Sequence, residues 1–202
     1  ALEAIMEILR VISNNALRQN TYLITTKNTA ILIDCGAPLS SIAKEYQYHH
    51  EGRKLPNIDA IFLTHTHFDH ELYLGELDRA YKPDIFVRAG CKDYIHDPMY
   101  NVSNLYDLNL TFKPTNVVEL TTELPIKIKD LIITPIFTPG HSKCSITYVI
   151  GDCVFTGDTL FSGGIGRTDF IGGDDNELNY SIQKIKSVKH SLYYPGHGIP
   201  FK

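Results

Sequence analysis

Apolar positions in this chain come in short runs separated by turn-forming residues, and the runs are of two kinds. Residues 5–12, 21–25 and 30–34 are brief and rich in β-branched side chains, which predicts strands. Residues 39–51 repeat their apolar positions at helical spacing and predict a helix. A further strand over 58–63 leads into a helix over 69–81, with Asp69 at its start, where the helix dipole favours a carboxylate. Residues 91–116 mix polarity, carry the breakers Asp97-Pro98 and Lys113-Pro114 and hold several tyrosines, so they read as a short helix within long loops over a sheet edge. A second strand set follows at 117–120, 126–128, 131–137, 146–150 and 154–155, with Gly151-Asp152 as a hairpin turn. A helix over 176–188 then leads to a last strand at 192–194. No repeat of fixed period exists, but the two strand-then-helix halves are alike in outline, a pattern compatible with two sheets packed face to face and helices outside.

The strand over 58–63 runs into Thr64-His65-Thr66-His67-Phe68-Asp69-His70, which packs four metal-ligand side chains into six positions. Loops at strand ends let a fold converge side chains without unpairing its core. Three later segments carry matching groups after apolar runs: Pro139-Gly140-His141-Ser142, Gly157-Asp158-Thr159 and Pro195-Gly196-His197-Gly198. A single histidine is more often a surface or satisfied core residue than a ligand, but this order of clusters, each at a strand exit, points to metal. Imidazole suits zinc and iron and a carboxylate can bridge two cations, so five histidines with two aspartates suffice for a dinuclear centre, and one metal would leave ligands over. His49, His50, His96 and His190 lack such a setting and are assigned surface or structural roles.

The remaining composition narrows the function classes. The chain has 202 residues, 43% of them hydrophobic, which suffices for one cored domain over 1–202. A net charge of -4 with scattered basic residues argues against nonspecific nucleic-acid binding. No apolar stretch approaches the ~20 residues of a membrane span, and Glu3 and Glu7 stand where a signal peptide carries positive charge, so a cytoplasmic location is expected, with Met6 as a candidate native start. Cys35, Cys91, Cys144 and Cys153 show neither CxxC spacing nor the density of a disulfide scaffold and are expected as buried or inert thiols. There is no GxSxG motif, and the glycine-rich run at 162–166 lacks the lysine of a phosphate-binding loop.

Taken with Leu32-Ile33-Asp34-Cys35-Gly36, Asp97-Pro98-Met99-Tyr100-Asn101-Val102-Ser103 and the run GDTLFSGGIGRTDFIGGD over 157–174, the ligand clusters make the chain resemble the metallo-β-lactamase-fold hydrolases. Within them it is most similar to the hydroxyacylglutathione hydrolase (glyoxalase II) branch and its persulfide dioxygenase relatives. The resemblance implies an α/β fold, an αββα sandwich of two mixed sheets with helices outside and metals at one edge. It implies His65, His67 and His141 on one metal, Asp69, His70 and His197 on the other, and Asp158 bridging. The expected cofactors are two divalent metal ions, zinc first, with iron or manganese as alternatives. The expected reaction is hydrolysis of a small-molecule thioester, an S-acyl conjugate of glutathione or another low-molecular-weight thiol, by a metal-bridging hydroxide, with Asp69 and Asp158 as catalytic residues that keep the bridging oxygen placed and Asp69 taking its proton. Alternatives are a mononuclear-iron persulfide dioxygenase using His65, His141 and Asp158, or a noncatalytic or redox protein of the same fold. The resemblance also implies Asp59 as a carboxylate supporting the metal site. Arg167 is expected either to grip a substrate carboxylate or to pair internally with Asp169. Two features depart from the branch. The C-terminal helical glutathione-binding domain is not expected, because the sequence ends five residues after His197, and Glu71-Leu72-Tyr73-Leu74 replaces small residues in a way expected to narrow the pocket. Cys35 replaces a proline common there, a packing change.

Overall fold

The computed structural model describes residues 6–202; the first five, including the start of the first expected strand, lie outside the described residues. Strands β1 (Glu7–Ile12), β2 (Asn20–Thr25), β3 (Ala30–Ile33), β4 (Ala60–Phe62), β5 (Asp84–Arg88) and β6 (Val117–Leu120) form one sheet in that order, antiparallel from β1 to β3 and parallel from β3 to β6. Strands β7 (Ile126–Ile128), β8 (Leu131–Phe137), β9 (Ile146–Ile150), β10 (Cys153–Gly157) and, after a small hairpin of β11 (Leu160–Phe161) and β12 (Gly164–Ile165), β13 (Leu192–Pro195) supply the rest. The second sheet has the order β13-β10-β9-β8-β7, with β13 parallel to β10.

Period-two alternation sorts the apolar residues into layers. Along β2 and β3, Leu23 and Leu32 face the helices α1 (Leu39–His49) and α3 (Leu74–Tyr81), in a core with Ile42, Leu74 and Leu77. Their neighbours Tyr22, Ile24, Ile31 and Ile33 face the other sheet, against Ile133, Tyr148 and Phe155. The second sheet is covered by α4 (Asp175–Lys186) through Leu178, Ile182 and Ile185. Asp174 starts α4 by accepting the Glu177 backbone N–H at 2.9 Å, satisfying a donor the helix cannot. This is the αββα sandwich of two mixed sheets expected from the sequence. No helix among the described residues is long and apolar enough to cross a membrane.

Several expectations need correction. The helix expected over 69–81 is broken: α2 (Phe68–Glu71) ends before α3 because the Tyr73 N–H donates to Cys35 O (3.0 Å) instead of continuing the helix. The apolar pattern does not predict strand β5, because its buried core is only Ile85, Phe86 and Val87 between charged ends, yet it is internal to the first sheet. Residues 117–120 belong to that sheet as edge strand β6, not to the second strand set. Cys91 and Cys144 are not thiols but a disulfide across a separation of 53 residues, while Cys35 and Cys153 are free and buried. Disulfides are rare in reducing compartments, so this bond pulls against the cytoplasmic expectation.

Candidate metal centre

The ends of β4, β10 and β13 and the turn after β8 deliver the four ligand segments to one edge of the sandwich. His65, His67 and His141 form one cluster, Asp69, His70 and His197 a second, and Asp158 joins His65 and His70 in a third, with ligand atoms in each cluster within 4.8 Å of one another. All seven expected ligands are brought together. His67 Nδ1 lies 3.0 Å from His141 Nε2. Asp69 Oδ2 lies 3.1 Å from His197 Nε2, and Asp158 sits between the halves, with Oδ1 3.3 Å from His70 Nε2 and Oδ2 3.5 Å from His197 Nε2.

The rings are aimed by what their other nitrogens hold. His141 Nδ1 donates to Arg167 O (2.8 Å), His197 Nδ1 to Leu17 O (2.9 Å) and His70 Nδ1 to the Asp34 carboxylate (2.7 Å), leaving each Nε2 turned inward. The donor set fits a cation on a direct observation: His65 Nε2, His70 Nε2 and Asp158 Oδ1 are buried without any hydrogen-bond partner. Each such orphan costs about 1–3 kcal/mol, and coordination removes that cost. The approach of the chain is close enough to require glycine at 196, where a Cβ would lie 2.2 Å from Asp158 Oδ1 and 2.6 Å from His70 Cε1.

Beyond the ligands, the carboxylate in contact with the clustered histidines is Asp34; Asp59, the expected one, does not touch them. Asp34 closes β3 with φ 60°, is 1% exposed, and accepts from Thr64 N (2.7 Å), Thr64 Oγ1 (2.8 Å) and His70 Nδ1. It thereby ties β3 to the ligand loop and to α2. Asp59 is engaged elsewhere, accepting from Lys129 Nζ (2.7 Å) and Ala30 N (3.1 Å) across the strand start. The sequence signal for Asp34 is an acid ending a wholly apolar strand, where burial demands partners.

Above the ligands lies a cavity of ≈ 320 Å³, walled by Leu17, Phe68, Val102, Tyr106, Phe161 and Phe170, with Arg167 on its wall. Residues 71–74 do not line it, so the expected narrowing by Glu71-Leu72-Tyr73-Leu74 does not arise there. Glu71 instead points inward, 1% exposed, with both oxygens unpartnered, and burial raises its carboxyl well above the usual range. Arg167 makes the internal ion pair: Nε and Nη2 each donate to Asp169 at 2.5 Å, and the guanidinium lies 4.1 Å from the Phe170 ring centroid.

Fold and ligand geometry define a class, the metallo-β-lactamase-type metal centre on an αββα sandwich. Residues 14–197 match the metallo-beta-lactamase superfamily, and the chain belongs to it. Among its relatives are the probable metallo-hydrolase YqgX of Bacillus subtilis (strain 168), 35% identical over 188 residues covering 90% of this chain and 86% of that protein, and the probable polyketide biosynthesis zinc-dependent hydrolase BaeB of Bacillus velezensis, 31% identical over 70% of this chain and 57% of its own. The crystal structure of TTHA1623 in a di-iron-bound form has a TM-score of 0.76 and 25% identity, covering 96% of this chain and 94% of that one. Family and relatives place the chain among the metal-dependent hydrolases of the superfamily.

Proposed function

We propose that this chain hydrolyses thioesters of a low-molecular-weight thiol, in the manner of glyoxalase II, on a pair of divalent cations held by the seven ligands. One observation carries the reading: apart from ligands, the described residues lining the cavity include only two side chains with transferable or ionic protons, Tyr106 and Arg167, and Arg167 is already paired. It offers no serine, cysteine or lysine nucleophile, so water attacks. It offers little acid to a leaving group, which suits a thiolate, whose conjugate thiol has a pKa of about 8.5, far better than an alkoxide. When bound, the cations supply an acidified water and polarise the substrate carbonyl.

The chain's own contributions are positional. His65, His67 and His141 would hold one cation at the base of the cavity and Asp69, His70 and His197 the other, with zinc or iron as the fitting ions. Asp69 Oδ2, beside His197 Nε2, is placed to take the proton released as the tetrahedral adduct collapses. The apolar walls seat the acyl group and exclude water. A free small-molecule conjugate is the proposed substrate, with neither nucleic acid nor membrane as a partner. The oxygenase alternative uses one iron on His65, His141 and Asp158, and leaves the grouping of Asp69, His70 and His197 without a task.

Anaerobic assay of S-lactoylglutathione with metal analysis of the same sample tests the proposal. Thioester turnover without oxygen at two ions per chain is expected. Oxygen uptake with a persulfide, one iron per chain and no thioester turnover would move the function to the oxygenase class.

A further inference from the structure

A second cavity, of ≈ 350 Å³, adjoins the first and shares Leu17 and His197 with it. Its character differs. Arg10 and Arg18 line it, no carboxylate does, and neither arginine has an ion-pair partner among the described residues. In a chain of net charge -4 this is a local excess of two positive charges. Arg167, the arginine on the wall of the first cavity, is neutralised by Asp169.

The two guanidiniums sit on a preformed frame. Asn15 Oδ1 accepts from Ser13 Oγ (3.0 Å), Leu17 N (3.0 Å) and Arg18 N (3.3 Å), and Ser13 and Gln19 close the loop with bonds of 2.8 Å in each direction. Arg18 is held there at φ 53°, a left-handed conformation costly for a side chain of this size. Arg10 Nη1 and Asn20 Nδ2 both donate to Gly198 O at 2.8 Å, and His197 Nδ1 donates to Leu17 O, so the loop over 13–19 and the ligand segment of His197 are one hydrogen-bonded unit. An anion bound by these arginines is therefore in fixed register with the metal floor.

We infer that Arg10 and Arg18 form an anion subsite that holds the carboxylate or phosphate end of the thiol carrier, while its thioester lies on the metal floor across the Leu17–His197 divide. This rests on the thioester reading and narrows it: the substrate is the conjugate of an anionic thiol. Guanidinium recognises both oxyanions through paired N–H donors, so the two sources are separated by experiment.

The test compares wild type, Arg18→Gln, Arg10→Gln and Arg18→Lys on S-acetylglutathione, whose anion is carboxylate, acetyl-coenzyme A, whose anion is phosphate, and the neutral S-acetyl-N-acetylcysteamine. Each Gln variant is expected to raise KM about tenfold on an anionic ester, the low end for a charge-assisted bond at an exposed site, and less than about threefold on the neutral one. Arg18→Lys should recover part of the loss, and added salt should weaken only the anionic ester. The ester that responds identifies the oxyanion. Binding of S-methylglutathione and S-methyl-coenzyme A, measured by calorimetry on the protein as isolated, is a readout independent of turnover. If no thioester is cleaved but an anionic thioether binds and Arg18→Gln abolishes it, the subsite stands and the hydrolase reading falls. Equal losses on anionic and neutral esters, or turnover and thioether binding indifferent to Arg18→Gln at unchanged melting temperature, would overturn the subsite. Arg18 decides the matter, since replacing Arg10 also removes a bond to Gly198.

Discussion

His65, His67 and His141 have one another as ring neighbours, with centroids 4.6 to 4.9 Å apart, whereas His70, although its ring lies 4.1 Å from that of His65, and His197 have carboxylates at their ring nitrogens, within 2.7 to 3.3 Å. The same side chain behaves oppositely in the two settings. Burial and the neighbouring His141 push His67 down to about 3, burial and His70 hold His65 well below its ordinary value, and burial lowers His141. Burial would also lower His70, but the charges of Asp158, Asp34 and Asp69 carry it well above the ordinary value. His197 rises because the Asp69 bond and Asp158 outweigh its burial. Without metal, then, burial favours neutral imidazoles in the first half, while the carboxylates favour protonated imidazoles in the second. One half is ready for a cation and the other must exchange charge to receive it.

The strongest way to break this contrast is to remove the group common to both halves. Asp158→Ala is expected to strip metal and lower thioester turnover on the order of 10³-fold or more, since metal-derived stabilisation is worth several kcal/mol; His65→Ala should act likewise. Elemental analysis beside the assay checks it, and two ions retained in Asp158→Ala would end the shared-ligand picture. Asp34→Asn should act first on the second half, through its direct contact with His70, and reach the first only through Thr64 Oγ1, which lies 3.1 Å from His65 Nδ1, costing about 10 to 100-fold in metal affinity or rate. Chelator competition resolving the two ions would show whether the first is spared.

Acid sharpens the contrast further. With His67 at about 3 in the folded state and near 6.5 unfolded, the unfolded chain binds the extra proton between those values, so this group's support for the metal-free fold is complete above 6.5 and shrinks as pH falls toward 3. His70, being raised, contributes stability below 6.5 that is lost as pH rises through its folded value. Metal uptake near neutral pH should therefore release protons from the second half and almost none from the first. Calorimetry in buffers of different ionisation enthalpy reads this directly, and equal release for both ions would contradict it. The smallest effect is expected from Asp59→Ala. That side chain only meets Lys129 and Ala30 N, so stability should fall by less than about 1 kcal/mol, with metal content untouched.

The contrast between Asp34 and Asp59 also shows what the sequence made legible. Ligands could be read because histidines and aspartates at strand exits have few other reasons to recur together. Their supporters could not be read with equal ease, because both aspartates border apolar strands and only the β3–β4 pairing decides which one reaches Thr64 and His70. Strand β5 was hidden by brevity, since three apolar residues between charges fit loop or strand alike. The break between α2 and α3 depends on a carbonyl of residue 35, distant in sequence. Cys91 and Cys144 carried no spacing signal because their meeting is made by tertiary packing alone.

That bond gives the molecule two states of covalent connectivity. Its bridge joins the turn three residues past His141 to the start of the segment that carries Val102 and Tyr106 to the cavity. Closing a loop of this separation removes denatured-chain entropy worth about 4 kcal/mol in the chain-entropy account. Melting temperature therefore becomes a function of the buffer's reducing power, and preparations made with and without dithiothreitol are thermodynamically different proteins of one sequence.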